Sequence, residues 1–320
     1  MTSALISLDR SAPFYVAGHR GLAGGAVWRH LDGAGFTNLV GRPSSDLDLR
    51  ERDDVFAFFD KERPRYVVMA AARVGGILAN STRPVEFLSD NVRIQVNVLD
   101  AAHAYDVDRL LLLGSSCIYP KFAEQPIKES SLLTGLLEPT NDAYAIAKIA
   151  GVMHVQAMRR QYARRWISAM PTNLYGPGDN FDVDSSHVLA ALIRRFDDAV
   201  RTGASTVTNW GTGAPRREFL HVDDLASAVL HVLENYDDPA PINIGTGKDL
   251  TIRELSDLVA QVAGYTGAVE WDASKPDGTP RKLLDVSRLQ ALGWRPGVEL
   301  RAGVERAYDW YAAHRDSARR

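Results

Sequence analysis

Tyr144 and Lys148 are the two side chains in this sequence whose types and spacing most clearly suggest chemistry. They lie four residues apart in a segment with helical periodicity, which places both on one face of a helix about one turn apart. A free phenol has a pKa near ~10 and exchanges protons slowly at neutral pH. A neighbouring ammonium favours the phenolate and brings the phenol closer to acid–base chemistry. Such pairs also arise by chance on amphipathic helices, so evidence from the surrounding segments is needed to show that this pair is functional.

A glycine-rich turn near the start of the chain is the second candidate. Its glycines follow the order Gly-x-x-Gly-x-x-Gly, after the apolar run 14–17 and before a segment of helical periodicity at 22–31. Glycines let the backbone turn tightly and approach a pyrophosphate, and the helix N-terminus offers free N–H donors. An ordinary glycine-rich turn is the alternative, but the strand and helix around it favour a nucleotide site. The loop comprises Gly18, His19, Arg20, Gly21, Leu22, Ala23 and Gly24.

The end of the second predicted strand discriminates between the two nicotinamide cofactors. An NAD site usually places a carboxylate there for the ribose 2′-hydroxyl, but this chain has Arg42 there and no acidic residue before Asp46. A 2′-phosphate would meet Arg42, and Arg20 could make a second contact. Alternatively, Arg42 is a solvated surface residue. Asp48 and Leu49 are weaker candidates for contacts with the adenine.

Strands and helices must position these residues, and in the first half of the chain they alternate. The predicted strands are 14–17, 37–40, 65–69, 110–113 and 166–170, and the predicted helices are 22–31, 54–61, 84–105 and from Tyr144 to about Tyr162. The all-apolar strand 110–113 is typical of a strand buried on both faces. The alternation predicts an α/β fold with a Rossmann-type, doubly wound parallel sheet.

The second half of the chain has a different character. Residues 171–181 are rich in Gly, Pro and Asn and are predicted as loop. Helices are predicted at 187–200, 225–233, 252–263 and 301–312, with short strands between them and a loop at 272–280. We therefore expect an N-terminal extension at 1–13, a nucleotide-binding domain at 14–171, and a smaller C-terminal α/β substrate-binding lobe formed mainly by 172–320.

Composition narrows the class of protein. The 320 residues include 45% apolar residues, and the net charge of −3 gives no argument for a nucleic-acid or membrane-surface partner. The single cysteine excludes an internal disulfide and fits a reducing cytoplasm. No apolar run is long enough to span a bilayer, and residues 1–13 lack the pattern of a signal peptide. No metal site is expected.

Several long strings together resemble the extended short-chain dehydrogenase/reductase superfamily. Within it they are most similar to the NADP(H)-dependent 3,5-epimerase-4-reductases of GDP-4-keto-6-deoxymannose, over almost the whole chain after Pro13. The strings are Ala-Gly-His-Arg-Gly at 17–21, Ala-Ala-Ala at 70–72 with Val-Gly-Gly-Ile at 74–77, Gly-Ser-Ser-Cys-Ile-Tyr-Pro at 114–120, Glu-Pro-Thr-Asn at 138–141, Tyr-Ala-Ile-Ala-Lys at 144–148, Pro-Thr-Asn-Leu-Tyr-Gly-Pro at 171–177, Arg-Glu-Phe-Leu-His-Val-Asp-Asp at 217–224, and Ser-Lys-Pro-Asp-Gly-Thr-Pro-Arg-Lys-Leu-Leu-Asp at 274–285.

The resemblance implies a role for each matching residue. Ser115, Tyr144 and Lys148 would form a reductase triad, and Cys117 and His187 would serve epimerisation at C3 and C5, before hydride reduction at C4 yields GDP-L-fucose. NADP(H) would lie against the glycine loop and against Arg42, Asp48, Leu49, Leu113, Gly114, Ser115, Ser116, Tyr144, Lys148, Pro171, Thr172, Asn173, Leu174 and His187. The GDP-sugar would lie near Arg195, Trp210, Arg217 and Asp277. A homodimer is also implied.

The residues alone leave alternatives open. A lone cysteine such as Cys117 is more often a small buried hydrophobe, His187 could cap a helix or lie on the surface, and Trp210 could pack in the core. Asp277 is a weak candidate for a substrate contact. Gly41 and the run 43–45 replace the more basic segment of the family, which leaves the strength of the NADP preference open.

Three rival functions are considered. A 4,6-dehydratase needs a carboxylic acid beside the serine position to eliminate water, and Ser116 and Cys117 stand there instead. A simple 4-epimerase has no obvious use for Cys117 and His187 as a proton-transfer pair. A non-catalytic dinucleotide sensor could lose the pair Tyr144 and Lys148, which this chain retains.

Overall fold

The first half of the chain folds into alternating strands and helices, in a computed structural model that describes residues 6–182, 185–275 and 277–318. In chain order the elements are β1 (Phe14–Ala17), α1 (Leu22–Gly33), β2 (Leu39–Val40), α2 (Arg52–Glu62), β3 (Tyr66–Met69), α3 (Ile77–Thr82), α4 (Pro84–Ala104), β4 (Arg109–Leu113), α5 (Asp142–Tyr162) and β5 (Ile167–Pro171). The predicted strands and helices of this half are confirmed with ends shifted by up to two residues, and α3 is an addition.

The second half mixes short strands with helices. In chain order the elements are β6 (Asn173–Tyr175), α6 (Val188–Thr202), β7 (Thr206–Trp210), β8 (Arg216–His221), α7 (Val222–Asn235), β9 (Ile242–Ile244), β10 (Asp249–Thr251), α8 (Ile252–Ala263), β11 (Ala268–Asp272), β12 (Arg281–Lys282), α9 (Ser287–Ala291) and α10 (Leu300–Ala313). No helix in the described ranges is long and apolar enough to cross a bilayer.

The central sheet has six parallel strands in the order β2-β1-β3-β4-β5-β9. The chain adds β2 on one side of β1 and β3 on the other, so the strand order reverses at β1. In open parallel sheets, ligands bind at the carboxyl ends of the strands beside such a reversal. The Rossmann-type fold is therefore confirmed, and it locates the expected cofactor crevice at the ends of β1 and β3.

Helices cover both faces of this sheet. Side chains alternate along β1: Phe14 and Val16 pack in the core that α1 and α7 cover, whereas Tyr15 and Ala17 pack in the core beneath α2, α4 and α5. All four side chains are buried. Burial of a large apolar side chain contributes about 1.5–3 kcal/mol, so these two cores hold the strand ends in place.

The second lobe has its own core. The apolar faces of α6, α8 and α10 meet around Ile193, Phe196, Val259 and Val304, which are all fully buried. Next to them β8 pairs with β10, β12 and β6, while β7 pairs with β11. Because β6 follows directly after β5 and β10 follows β9, the sheet around β8 lies at the carboxyl ends of the central strands.

Two elements from the second half return to the first sheet. Strand β9 pairs in parallel with β5 through Ala169 and Ile242. Helix α7 packs against α1, with Leu225, Val229 and Val232 fully buried in the same core as Phe14. The nucleotide-binding sheet is therefore completed by residues that follow 171 in the sequence.

The structure corrects the sequence analysis at two places. The loop predicted for 171–181 is wrong at Asn173–Tyr175, which form β6 and pair with Phe219–His221 of β8. Of the predicted N-terminal extension, residues 1–5 lie outside the described part. The remainder packs on the fold, since Leu8 and Ala12 are buried and the N–H of Ile6 donates to the carbonyl of Glu234 at 2.8 Å.

Candidate active site

Tyr144 and Lys148 lie on the first two turns of α5, with both side chains buried. The Lys148 Nζ donates to the carbonyl oxygen of Leu113 at 2.9 Å and lies 5.9 Å from the centre of the Tyr144 ring. Helical spacing thus places the two side chains on one face, as predicted. The hydrogen bond anchors the ammonium to the carboxyl end of β4.

The environment changes the pKa of both groups. Burial lowers the pKa of Lys148 to about 8. Burial also raises the pKa of Tyr144, and the nearby Cys117 raises it further, while a hydrogen bond with Ser115 acts in the opposite direction. The expected lowering of the phenol pKa is not found, because the cost of burying a phenolate dominates.

Ser115 and Cys117 lie directly after β4, where the chain makes a short 3₁₀ turn over Ser116–Ile118. The Ser115 Oγ accepts a hydrogen bond from the backbone N–H of Cys117 at 3.2 Å. Since Ser115 also interacts with Tyr144, the hydroxyl, the phenol and the thiol form one contiguous group at the end of β4.

Polar donors surround the thiol of Cys117, which is partly exposed. The side-chain amide of Asn141 donates to its Sγ at 3.4 Å, and the Nζ of Lys282 lies 3.5 Å away. Burial acts to raise the pKa of Cys117, but the charge of Lys282, a hydrogen bond with Ser115 and the charge of Arg217 outweigh it and lower the pKa. Reactive cysteines occur in such electropositive surroundings, so these contacts favour a reactive thiol over an inert core residue.

His187 occupies the N-cap position of α6, but its side chain makes no capping hydrogen bond. The residue is exposed, so its imidazole is available at the N-terminus of α6. Desolvation lowers the pKa of His187, and the positive charge of Lys282 lowers it further. Lys282 therefore acts on both His187 and Cys117, which locates the two proton-transfer candidates around one ammonium group.

Lys282 and Asn141 are residues that the sequence analysis did not single out. Both stand in the family-like strings, but their spacing gave no signal, because Lys282 is 165 residues from Cys117. Lys282 reaches the thiol since β12 pairs with β8 and aligns Lys282 with Arg217. Only the tertiary pairing of these short strands brings the cation to the site.

The glycine loop has the shape that a pyrophosphate requires. Gly18 has φ +83°, and a Cβ on it would lie 2.9 Å from backbone atoms of Ala71 in the segment after β3. A Cβ on Gly24 would lie 2.2 Å from the carbonyl oxygen of Gly18. Gly21 is the N-cap of α1 and offers no side-chain acceptor, so the first N–H groups of α1 remain for an anion. The loop therefore fits a dinucleotide.

Arg42 is held by a carboxylate at the end of β2. Its guanidinium donates to Glu62 at 2.7 Å and to the carbonyl of Gly41 at 2.9 Å. Gly41 also leaves room for the ring of His19, which would lie 2.6 Å from a Cβ at that position. Arg42 is therefore neither free nor simply solvated, and a 2′-phosphate would have to compete with Glu62.

The two residues expected near the adenine are already engaged. The carboxylate of Asp48 accepts from the guanidinium of Arg50 at 2.6 Å, and the carbonyl of Leu49 accepts from the amide of Asn97 at 3.0 Å. Leu49 is half-buried against the core. Because the Asp48 carboxylate is already paired with Arg50, the Leu49 side chain is the simpler surface for an adenine ring to pack against.

The other expected cofactor segments lie side by side. Residues 113–116 follow β4 and residues 171–174 follow β5, and these strands are neighbours in the sheet. The N–H of Gly114 donates to Ala169 at 2.9 Å, and Asn173 and Thr172 donate to the carbonyl of Glu218 at 2.7 and 3.3 Å. The second segment is therefore fixed to β8 of the second lobe.

The expected substrate residues lie on the second lobe. Arg195 of α6 donates to the Oδ1 of Asn209 at 2.7 Å, and Arg217 of β8 donates to the carbonyl of Arg216 at 2.8 Å. Burial lowers the pKa of both arginines, and for Arg217 the acidic groups of Cys117, Glu138 and Asp277 counteract part of this.

Trp210 and Asp277 differ in availability. Trp210 ends β7 and is 59% exposed, so the alternative of core packing is wrong. The carboxylate of Asp277 accepts from the N–H and the hydroxyl of Thr212, both at 2.8 Å. Asp277 therefore already fixes the loop beside Trp210. Among the described residues no group of His, Cys, Asp and Glu could hold a metal ion.

Several known proteins resemble this chain in sequence and in fold. The sequence model of the NAD dependent epimerase/dehydratase family matches residues 14–245. GDP-L-fucose synthase 1 of Arabidopsis thaliana is 57% identical over 303 residues, covering 95% of this chain and 94% of the relative. GDP-L-fucose synthase of Escherichia coli K12 is 52% identical over 95% of this chain and 98% of the relative. A crystal structure of a GDP-L-fucose synthetase from Naegleria fowleri bound to NADP superposes with a TM-score of 0.92 at 29% identity, covering 99% of this chain and 98% of that chain.

Proposed function

The chain belongs to the NAD dependent epimerase/dehydratase family, and we infer that it converts GDP-4-keto-6-deoxy-D-mannose to GDP-L-fucose with NADPH, by epimerisation at C3 and C5 followed by reduction at C4. Relatives that are 52% and 57% identical over nearly their whole length are GDP-L-fucose synthases. The observation that supports this function best is that Ser115, the hydroxyl assigned to the reduction, accepts a hydrogen bond from the backbone N–H of Cys117, whose thiol has a lowered pKa.

Epimerisation needs one group that removes a proton and another that returns one from the opposite face of the ring. The C4 ketone acidifies the protons on C3 and C5, so each centre inverts through an enolate. We assign these transfers to Cys117 and His187. Lys282 favours the Cys117 thiolate, which removes the proton as the base. The imidazolium of His187, a stronger acid because its pKa is lowered, returns a proton from the opposite face, and both groups then recover their protonation states by exchange with water.

Reduction needs a proton for the oxygen on C4. The raised pKa of Tyr144 keeps the phenol protonated at neutral pH, as a proton donor must be. Ser115 donates a hydrogen bond to the same oxygen and stabilises the developing negative charge. Lys148, anchored to the carbonyl of Leu113, orients the ribose next to the nicotinamide. Bound NADPH supplies the hydride.

NADP(H) binding requires an anion site for the pyrophosphate and a cation for the 2′-phosphate. The loop from Gly18 to Gly24 and the N-terminus of α1 supply the first. We assign the second to Arg42 together with Arg20. Arg42 would exchange its partner Glu62 for the phosphate, a more highly charged acceptor.

The GDP-sugar is assigned to the second lobe. Arg195 and Arg217 would contact the diphosphate, since each is half-buried and donates to a neutral acceptor. The exposed ring of Trp210 would stack on guanine. Asp277 would act from the loop that it fixes through Thr212.

A 4,6-dehydratase remains the nearest rival, but the described site holds Ser116 and Cys117 where that reaction requires a carboxylic acid. A non-catalytic sensor has no need for an ammonium beside a thiol. A simple 4-epimerase likewise gives Cys117 and Lys282 no task. The sensor and the simple 4-epimerase therefore leave the contact between Lys282 and Cys117 unexplained.

We further propose a homodimer formed through α4 and α5. These adjacent helices expose several large apolar side chains: Val85 (72%), Ile146 (47%), Val96 (38%), Met153 (38%) and Leu88 (36%). Light scattering should give twice the mass of one chain, and Val96→Asp should shift the protein towards the monomer. Phe122→Asp, at an exposed apolar residue that belongs to neither helix, should not. A catalytic thiol that must stay reduced also favours a cytoplasmic location.

The decisive experiment incubates the protein with GDP-4-keto-6-deoxy-D-mannose and NADPH and identifies the product by NMR. GDP-L-fucose is expected, with consumption of one NADPH for each sugar. An epimerised sugar that is not reduced, a reduced sugar that keeps the original C3 and C5 configurations, or no reaction would contradict the proposed function.

A further inference from the structure

Asn209 is a polar side chain at a core position of the second lobe. Residues of β7 alternate between exposed and buried, and Val207 and Asn209 face inwards. Asn209 is 2% exposed. Because Val207 is an ordinary apolar residue at the equivalent position, packing alone does not require an amide at Asn209.

Both the oxygen and the nitrogen of the Asn209 amide form hydrogen bonds. Its Oδ1 accepts from Arg195 at 2.7 Å, and its Nδ2 donates to the Oγ of Ser256 at 2.8 Å. The amide orientation is determined, since a guanidinium can only donate and must therefore face the oxygen. Ser256 on α8 is fully buried. One chain of hydrogen bonds thus joins α8, β7 and α6 and ends at the guanidinium of Arg195.

The acceptor that holds Arg195 is neutral, whereas three other arginines in this lobe pair with carboxylates. Arg216 and Arg281 share Asp249, and Arg315 pairs with the buried Asp197. Within the described ranges no carboxylate forms an ion pair with Arg195. A carboxylate at 209 would orient the guanidinium equally well but would cancel its charge. An amide orients it and leaves the charge unbalanced.

We propose that Asn209, held by Ser256, is a positioning residue that orients Arg195 and reserves its full charge for the diphosphate of the GDP-sugar. This inference rests on the proposed function. Trp210 follows Asn209 at the end of β7, so this strand would carry the guanine contact as well as the residue that orients the diphosphate contact.

Calorimetric titrations with GDP and with guanosine test the inference, because only GDP carries the diphosphate. Arg195→Ala should weaken GDP binding by about ten- to a hundredfold, the effect of losing a charge-assisted contact, and leave guanosine binding unchanged. Asn209→Asp should weaken GDP binding at least tenfold, since the new carboxylate neutralises Arg195. Ser256→Ala should have a smaller effect of the same kind. The matched control is Asn235→Asp, whose amide donates to the carbonyl of His231 on α7.

The outcomes separate the two claims. If Arg195→Ala binds GDP normally, the proposed diphosphate contact is wrong. If Arg195→Ala loses GDP affinity but Asn209→Asp does not, the role of Asn209 is overturned. Equal loss of GDP and guanosine affinity in Asn209→Asp would mean that the amide supports only the fold, which also overturns the inference. In the turnover assay, Asn209→Asp should raise KM for the GDP-sugar with little change in kcat.

Discussion

The Nζ of Lys282 lies 3.5 Å from the Sγ of Cys117, so an ammonium from the second lobe polarises the only thiol in the chain. Because Cys117 is the single cysteine, its reaction with iodoacetamide reports the thiolate fraction directly. We predict that Lys282→Met raises the thiol pKa. Alkylation at pH 7 should slow several-fold, and the midpoint of the rate–pH profile should move upwards.

Lys61→Met removes the same charge from a side chain that is 80% exposed on α2 and serves as the control. Its alkylation profile should match that of the unmodified protein. An unchanged midpoint in Lys282→Met would show that the ammonium does not set the reactivity of the thiol.

Tyr144→Phe tests the proton donor of the reduction. NADPH binding should be nearly normal, because the lost hydroxyl faces the substrate. Turnover should fall by about 10²–10⁴-fold, the usual contribution of general acid catalysis. Fluorescence titration measures NADPH affinity, and stopped-flow measurement of NADPH oxidation measures turnover. Turnover at the unmodified rate would exclude the phenol as the acid.

Cys117→Ser and His187→Ala test the division of labour within the site. Each should slow exchange of solvent deuterium into C3 and C5 of the sugar. The serine hydroxyl is far less acidic than a thiol, and the methyl group of alanine has no exchangeable proton. Binding of NADPH to Cys117→Ser should persist. The double variant is expected to reduce the unepimerised ketone to a different sugar. If both single variants exchange deuterium at the unmodified rate by NMR, the two residues are structural.

Arg42 and Glu62 together test the cofactor preference. Arg42→Ala should narrow the difference between NADPH and NADH affinities by about 1.5–3 kcal/mol, the value of a charge-assisted contact. Glu62→Gln should act in the opposite direction, since it removes the carboxylate that holds Arg42 at 2.7 Å. Fluorescence titration measures both affinities. Equal affinities for the two cofactors in the unmodified protein would contradict the assignment.

Lys148 should make stability depend on pH in the alkaline range. Its pKa is about 8 in the folded protein against an ordinary value of 10.5, so the unfolded chain binds more protons between these values. The free energy of unfolding should therefore rise with pH across this window, by on the order of 3 kcal/mol at most from this group. Urea denaturation at several pH values should show this rise in the unmodified protein and its absence in Lys148→Met.

Much of the site could be predicted because its signals are local. The glycine loop lies between one strand and one helix, and Tyr144 and Lys148 share one helix face, so sequence spacing determines their geometry. Gly18 illustrates this, since its positive φ and its close approach to Ala71 are what a glycine in that motif predicts.

The remaining features depend on contacts between distant segments. Strand β6 has only three residues and forms because β8 lies beside it. Lys282 reaches Cys117 through a strand of two residues. The raised pKa of Tyr144 reflects how deeply the phenol is buried, which helical spacing does not reveal.

Strand β9 has a practical consequence for engineering. A fragment that ends after residue 171 would leave β5 as an open edge strand with unpaired N–H and C=O groups, and an exposed edge of this kind promotes aggregation. It would also uncover the part of α1 that α7 protects. The part of the chain after residue 171 therefore cannot be exchanged as one independent domain. A chimera that imports a new sugar specificity should retain α7 and β9 from the nucleotide-binding parent and replace only the segments between β5 and α7 and after β9.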